Sequence, residues 1–227
     1  MSNKDSNKDL IAEAMEDSNF WNVHDDLKGM TLNELQEIQQ KESLPYAVCA
    51  LNLTGDLNIG MMARTACIFG ASKFIIFGRR KYDKRSTVGA QNYIPIVRID
   101  GFKKGTKELC VEKFNDAMDE HQLYPVAIEQ GGYRIDMLNM GDWTELIGCE
   151  AMNPPYPCLV FGNENQGIPE EILNECVTTL TLPQRGVLRS LNVSAAAAVA
   201  MNIFSEEVWK LVHFHKEMIE RNAAKKK

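Results

Sequence analysis

Short apolar segments alternate with helical patterns along most of this chain, and this alternation limits the fold more than any other feature. The apolar segments have strand-like lengths, and the segments between them carry apolar residues at helical spacing. Such an alternation predicts an α/β fold with a mostly parallel sheet and helices on both faces. The predicted strands are 45–53, 73–77, 95–99, 124–129, 158–162 and 177–182, and the predicted helices are 31–42, 59–69, 106–121, 169–176 and 194–212.

The segment 183–198, PQRGVLRSLNVSAAAA, combines a rigid turn, two arginines and a polar cluster at the start of an alanine-rich helix. Pro183 fixes the entry and Gly186 allows unusual backbone angles. The side chains of Ser190, Asn192 and Ser194 can all form local hydrogen bonds. In isolation, this pattern predicts only a well-capped helix.

Two earlier junctions have a similar layout of strand or loop, polar residues and helix. In 159–173, an apolar run is followed by Gly162, Glu164 and Gly167 before a helical pattern. In 58–70, Asn58 is expected to cap a helix that contains Arg64. Because loops at the carboxyl edge of an α/β sheet bind ligands, the three junctions together indicate a ligand site.

These segments resemble the three motifs of the SpoU (TrmH) family of RNA ribose 2′-O-methyltransferases, in the SPOUT superfamily. The resemblance covers roughly residues 45 to 212, and the motifs occur in the family's order. The matching residues are Asn58, Gly60 and Arg64 in the first motif, Gly162, Glu164 and Gly167 in the second, and Pro183 with the run Ser190 to Ser194 in the third.

The resemblance implies a C-terminal deep trefoil knot, built from about residue 158 onward, that holds S-adenosylmethionine through backbone groups. It also implies the site residues. The catalytic set is Asn58, Arg64, Glu164, Ser190 and Asn192, and the cofactor-binding set is Phe161, Gly162, Asn163, Gly167, Thr181, Leu182, Leu191 and Ser194.

In this resemblance, Arg64 corresponds to the catalytic arginine of the family. Its guanidinium has a pKa above about 12, so it is a poor general base. We therefore expect Arg64 to hold a substrate phosphate and to stabilise developing negative charge on the attacking oxygen. We expect Glu164 to orient Arg64 or its partner loop across the site. No metal is expected.

RNA is the expected partner although the net charge is −6. Five cations are concentrated at 79–85, in the sequence RRKYDKR, just after the second predicted strand. A solvated surface loop would have the same composition, but the family resemblance places this loop near the RNA. The predicted RNA-binding residues are Arg79, Arg80, Lys81, Lys84, Arg85 and Arg189.

We divide the chain into an N-terminal extension (1–44) with one short helix, a methyltransferase domain (45–212) and a basic C-terminal tail (213–227). Thr31 and Glu34 form the pattern of a capping box at the start of the short helix. Since the extension is too short for the extra RNA-binding domain of many rRNA-modifying relatives, tRNA is favoured over rRNA. Family members are generally homodimers, so a homodimer is expected.

Composition favours a cytoplasmic protein that has no membrane segment. The six cysteines are widely spaced, which favours reduced thiols over a disulfide framework. The first twenty residues are too polar for a targeting peptide, and no apolar run reaches membrane-spanning length.

Three alternatives stay open. A catalytically silent RNA-binding relative would share the fold, and a base-methylating SPOUT enzyme would share the cofactor. A nucleotide-binding Rossmann enzyme would show the same alternation, but no G-x-G-x-x-G follows the first strand.

Overall fold

In a computed structural model of the chain, residues 22–51, 53, 55–78, 81–148 and 153–224 are described. Six strands form one sheet in the order β3-β2-β1-β5-β4-β6, and every neighbouring pair is parallel. The prediction of a mostly parallel α/β sheet is therefore confirmed. The strands are β1 (Leu44–Leu51), β2 (Ala71–Phe77), β3 (Ile96–Ile99), β4 (Leu123–Arg134), β5 (Tyr156–Phe161) and β6 (Thr178–Thr181).

Helices connect the strands, as parallel pairing requires. The described residues also contain three short 3-10 helices, Asp25–Leu27, Ala90–Asn92 and Ile135–Met137. The α-helices are α1 (Leu32–Glu42), α2 (Asp56–Ile68), α3 (Lys84–Thr87), α4 (Val111–Glu120), α5 (Met140–Ile147), α6 (Glu170–Leu173) and α7 (Val193–Ala224).

The sheet is covered on both faces, which alternate residues of β1 show directly. Tyr46, Val48 and Ala50 belong to a core shared with α2, α5 and α7. Ala47 and Cys49 belong to a second core shared with α4 and α6. Because successive strand residues point to opposite faces, a strand that is apolar throughout is what a doubly covered sheet requires.

Helix α1 lies outside the sheet and begins where the sequence predicts. Thr31 is its N-cap, and the reciprocal hydrogen bonds between Thr31 and Glu34 confirm the capping box. The Gln36 side chain donates to the Asn92 carbonyl (2.7 Å) and the Gln39 side chain donates to the Cys67 carbonyl (3.3 Å). Helix α1 is thereby attached to the sheet domain.

Several predicted boundaries are wrong for local reasons. The helix predicted over 106–121 begins at Val111, because residues 102–109 form a loop closed by a bridge between Phe102 and Leu109. The helix predicted over 169–176 is the single turn of α6. No strand or helix is predicted between residues 129 and 158, yet β4 continues to Arg134 and α5 follows it, with Asn139 as its N-cap.

Helix α7 is longer than predicted. It continues from Val193 to Ala224, so residues 213–224, which we assigned to the tail, are helical. The segment 193–224 contains neither glycine nor proline, and nothing in the sequence stops the helix at residue 212. In the ranges that the structure describes, no helix, including this long one, is apolar enough over its length to cross a membrane.

Candidate functional site

Asn58 of the first motif and residues of the second and third motifs converge at the carboxyl edge of the sheet. β5 ends at Phe161, and the loop that follows is closed by two backbone hydrogen bonds between Asn163 and Gly167 (3.0 and 2.8 Å). A Cβ atom on Gly162 would lie 2.2 Å from the Gly167 carbonyl carbon, so only glycine permits this close approach. Gly167 itself has a φ of +69°. The G-x-E-x-x-G spacing thus has a steric explanation.

A cavity of about 550 Å³ opens beside this loop. Seven of the eight predicted cofactor-binding residues line it, as do Glu164, Ser190 and Arg189. Its lining consists of Ile128, Glu129, Gln130, Phe161, Gly162, Asn163, Glu164, Asn165, Gln166, Gly167, Ile168, Thr181, Leu182, Gln184, Arg189, Ser190, Leu191, Val193 and Ala196.

Ser194 is the predicted cofactor residue that does not line this cavity. It is buried, and its hydroxyl donates to the Asn192 side-chain oxygen (2.6 Å). The same oxygen accepts from the backbone N–H groups of Ser194 (2.9 Å) and Ala195 (3.4 Å). Asn192 therefore caps α7, and Ser194 supports that cap rather than facing the cavity.

Asn58 connects all three motif segments. Its side-chain nitrogen donates to Glu164 Oε1 (2.7 Å), and its side-chain oxygen accepts from Asn192 Nδ2 (3.3 Å). These partners lie 106 and 134 residues away along the chain. The expectation that Asn58 caps the helix is wrong, because Gly55 is the N-cap and Asn58 lies within the first turn of α2.

Arg64 does not face this hydrogen-bond network. It is six residues beyond Asn58 on α2, which turns its side chain about 240° around the helix axis. Arg64 is exposed, and among the residues that the structure describes it has no hydrogen bond or ion pair. Of the two partners expected for Glu164, Arg64 or the loop across the site, the single chain pairs Glu164 with Asn58 and not with Arg64.

The predicted RNA-binding residues divide into three groups. Arg79 and Arg80 lie outside the described residues. Lys81, Lys84 and Arg85 are exposed beside the amino-terminal part of α2. Arg189, also exposed, lies at the cavity instead.

The basic segment after β2 forms the short helix α3 rather than only a loop. Asp83 caps this helix, and the Arg85 guanidinium donates to both Asp83 carboxylate oxygens. This pair holds the pKa of Asp83 below its usual value. The Asp83 N–H donates to the Asp56 carbonyl, and a Cβ on Gly60 would lie 1.8 Å from Ser86 Oγ, so the segment packs tightly on α2.

Glu129 and Gln130, directly after the buried part of β4, are site residues that the sequence analysis missed. Glu129 accepts hydrogen bonds from the backbone N–H groups of Gln130 (2.9 Å) and Ile168 (3.1 Å). The Gln130 side chain donates to the Arg189 carbonyl (2.7 Å). Two polar residues directly after an apolar strand are the signal that could have revealed them.

A larger cavity, of about 850 Å³, lies at the other edge of the sheet, near the start of β4 and β6. Its lining includes Tyr124, Asp142, Glu145 and Val177, and it shares no residue with the three motifs. We therefore identify the smaller cavity as the candidate functional site, because residues of the motifs line it.

A parallel α/β sheet with glycine loops and a polar cavity at its carboxyl edge defines a ligand-binding α/β enzyme fold. The family model described as "SpoU rRNA Methylase family" matches residues 45–202. The chain therefore belongs to the SpoU methylase family, as its motifs indicate.

Relatives with solved structures share the fold. An AdoMet-bound rRNA methyltransferase from Sinorhizobium meliloti is 24% identical, with a TM-score of 0.56, over 76% of this chain and 59% of that chain. The TrmH/SpoU tRNA-modifying enzyme of Aquifex aeolicus is 20% identical, with a TM-score of 0.58, over 83% of this chain and 96% of that chain.

Among curated proteins, the chain is similar to the 23S rRNA (guanosine-2′-O-)-methyltransferase RlmB of Haemophilus influenzae. The identity is 24% over 179 residues, which cover 77% of this chain and 65% of RlmB. For three other curated relatives, the chain spans only 59%, 61% and 45% of their lengths.

Proposed function

We propose that this protein transfers a methyl group from S-adenosylmethionine to a ribose 2′-hydroxyl in structured RNA. The observation that carries the proposal is the pair of hydrogen bonds at Asn58, which joins three distant segments beside a cavity of cofactor size. Family membership and the 2′-O-methyltransferase name of a relative support the same chemistry.

The cavity fits S-adenosylmethionine. Its volume lies within the range of about 300–1,000 Å³ that small-molecule sites occupy. Ile128, Phe161, Leu191 and Val193 supply apolar surface for the adenine. The loop 162–168 supplies backbone groups that no Cβ obstructs at Gly162. When bound, the cofactor supplies a methyl group already activated by its sulfonium charge.

The protein's part of the reaction is to position the ribose oxygen and to stabilise its developing charge. Ser190 and Glu164 line the cavity, and Asn58 connects Glu164 to Asn192 by hydrogen bonds. Arg64 holds an RNA phosphate in this account. Lys81 and Lys84, exposed near the same helix, and Arg189, at the cavity, provide further phosphate contacts.

The functional unit in our proposal is a symmetric homodimer. On α2, Leu57, Met61 and Ile68 are 59%, 49% and 68% exposed, and their spacing places them on one side of the helix. Arg64 lies within this stripe. If this side of α2 forms the dimer interface, Arg64 faces the partner subunit. Arg64 would then act at the partner's site, which explains why it turns away from Asn58 of its own chain. The C-terminal trefoil knot stays a prediction.

tRNA is the favoured substrate. A tRNA-modifying enzyme of A. aeolicus is among the solved structures that share this fold. The test is the transfer of labelled methyl groups from S-adenosylmethionine to purified tRNA and to rRNA. We expect label in tRNA, and label in rRNA alone would overturn the preference.

Arg64 gives the sharpest variant for this test. Arg64→Ala should abolish the transfer, and Arg64→Lys should retain only a small part of it, because an ammonium cannot replace a two-pronged guanidinium contact. Arg221→Lys, an exposed arginine on α7, is the matched control and should leave turnover unchanged. Turnover near the wild-type rate in Arg64→Lys would refute the bidentate role.

Two other outcomes would replace the proposal. Cofactor binding without transfer to any RNA would indicate a silent RNA-binding relative. Transfer to a base rather than to ribose would indicate a base-methylating SPOUT enzyme.

A further inference from the structure

Glu129 places a carboxylate in the wall of the proposed cofactor cavity, outside the three motifs. It follows Ile128 at the carboxyl end of the buried part of β4, and it is half-buried. A Cβ on Gly167 would lie 2.6 Å from Glu129 Oε2, so the glycine allows the carboxylate to approach the loop. The side chain is thus held at a defined position.

The carboxylate has acceptor capacity left for a ligand. Oε1 accepts from the Gln130 N–H and Oε2 accepts from the Ile168 N–H, which is one hydrogen bond for each oxygen. An ionised carboxylate offers about four acceptor sites and no donor. Glu129 can therefore accept two further hydrogen bonds from hydroxyl groups in the cavity.

The position of Glu129 indicates which part of the ligand it meets. Glu129 lines the same cavity as Ile128 and Phe161, to which the proposed function assigns the adenine, and its carboxylate lies at the Ile168 N–H on the loop that follows β5. The other cavity carboxylate, Glu164, is bonded to Asn58 and marks the reacting side. The ribose directly adjoins the adenine, whereas the amino-acid end of the cofactor lies beyond the sulfonium. A carboxylate beside a ribose diol is also how dinucleotide-binding folds recognise their ligands.

We propose that Glu129 is a specificity-determining residue that accepts hydrogen bonds from the 2′- and 3′-hydroxyls of the cofactor's own ribose. The proposal rests on the proposed function, because it assumes that an adenosyl cofactor occupies this cavity. It explains why the buried part of β4 is followed directly by a carboxylate whose oxygens are only partly used by the backbone.

The test is a thermodynamic cycle between ligand and protein, measured by titration calorimetry without RNA or turnover. The ligands are S-adenosylhomocysteine and its 2′-deoxy and 3′-deoxy analogues. The proteins are the wild type, Glu129→Ala and Glu129→Gln, with Glu164→Gln as the matched carboxylate control. Removing either hydroxyl should weaken binding to the wild type by about 10-fold or more, since the hydrogen bond is to a charged acceptor.

In Glu129→Ala, the deoxy analogues should bind within about 2-fold of S-adenosylhomocysteine, because the acceptor is gone. In Glu164→Gln the dependence on the hydroxyls should persist. If Glu129→Ala does not fold, the same cycle is measured with Glu129→Gln. In that variant, removing a ribose hydroxyl should weaken binding less than it does in the wild type.

Two results would overturn the proposal in distinguishable ways. If both Glu129 variants weaken all three ligands equally, the carboxylate serves only to hold the loop at Ile168, and the proposed function is untouched. If the wild type fails to bind S-adenosylhomocysteine at all, the proposed function fails together with this inference.

Discussion

Asn58 is the residue on which the site depends most. Its amide donates to a carboxylate in the second motif and accepts from an amide in the third, so one side chain sets the relative position of three loops. Hydrogen bonds to charged groups contribute about 1.5–3 kcal/mol each. The loss of Asn58 should therefore affect both stability and activity.

Asn58→Ala should lower the free energy of unfolding by about 1.5–3 kcal/mol and reduce methyl transfer at least 10-fold, by about the same energy. Urea titration and single-turnover transfer measure the two effects. Asn115→Ala is the matched control, because Asn115 also donates to a carboxylate, that of Glu175 (2.9 Å), and neither residue lines the cavity. Equal losses in the two variants would contradict a special role for Asn58.

Gly162 is required by steric packing. A methyl group there would overlap the backbone of Gly167 and Ile168, which is not a flexible side chain that could move aside. We expect Gly162→Ala to destabilise the protein by about 2 kcal/mol or more and to abolish binding of S-adenosylhomocysteine in calorimetry.

Gly186 provides the control for this substitution. A Cβ on Gly186 meets no atom within 4 Å, although it lies in the loop that borders the same cavity. Gly186→Ala should keep both stability and binding. Intact binding in Gly162→Ala would show that the loop is free to rearrange.

At the scale of elements, α1 shows how an accessory helix is attached. Its capping box fixes its start, and amide side chains of Gln36 and Gln39 bond it to carbonyls of the sheet domain. Thr31→Ala should cost about 0.5–2 kcal/mol of stability, as the loss of an N-cap does. Denaturant unfolding measures the loss. Asn33→Ala, on the exposed side of the same helix, should cost less, and an equal loss would contradict the capping role.

The elements also show how far the sequence predicts the structure. The alternation of patterns and the capping box at Thr31 were sufficient for the parallel sheet and for α1, because both depend on local residue order. The start of α4 was wrong because a bridge between Phe102 and Leu109 holds the preceding residues in a loop. The predicted end of α7 at residue 212 was wrong because the sequence there contains no glycine or proline that would stop the helix.

The site was predictable as a set of residues but not as a geometry. The family resemblance implied about half of the residues that line the cavity. Parallel strands bring the loops that follow them to one edge of the sheet, which is why these residues lie together. The partners of Asn58 could not be predicted, because they lie more than a hundred residues away. Asn58 and Arg64 both lie within α2, and their spacing turns the Arg64 side chain away from Asn58. We did not predict this direction, because we expected Asn58 to be the N-cap outside the helix.

At the scale of the whole molecule, the exposed apolar stripe of α2 predicts association. Met61→Lys places a charge in the stripe and should shift the protein toward monomer and reduce methyl transfer, because Arg64 would lose the facing site. Light scattering coupled to size exclusion measures the mass. Met137→Lys is the matched control, since Met137 is 70% exposed outside α2. A wild-type protein that is monomeric at micromolar concentration would contradict the dimer.

The most direct test of the central claim is where the transferred methyl group resides. S-adenosylmethionine with a trideuterated methyl group is incubated with RNA and the wild-type protein, the RNA is digested to nucleosides, and mass spectrometry cleaves the glycosidic bond. The account predicts that the label stays with the ribose fragment and falls at least 10-fold when Asn58→Ala replaces the wild type. Label on the base, or no label in any RNA although S-adenosylhomocysteine binds, would contradict it.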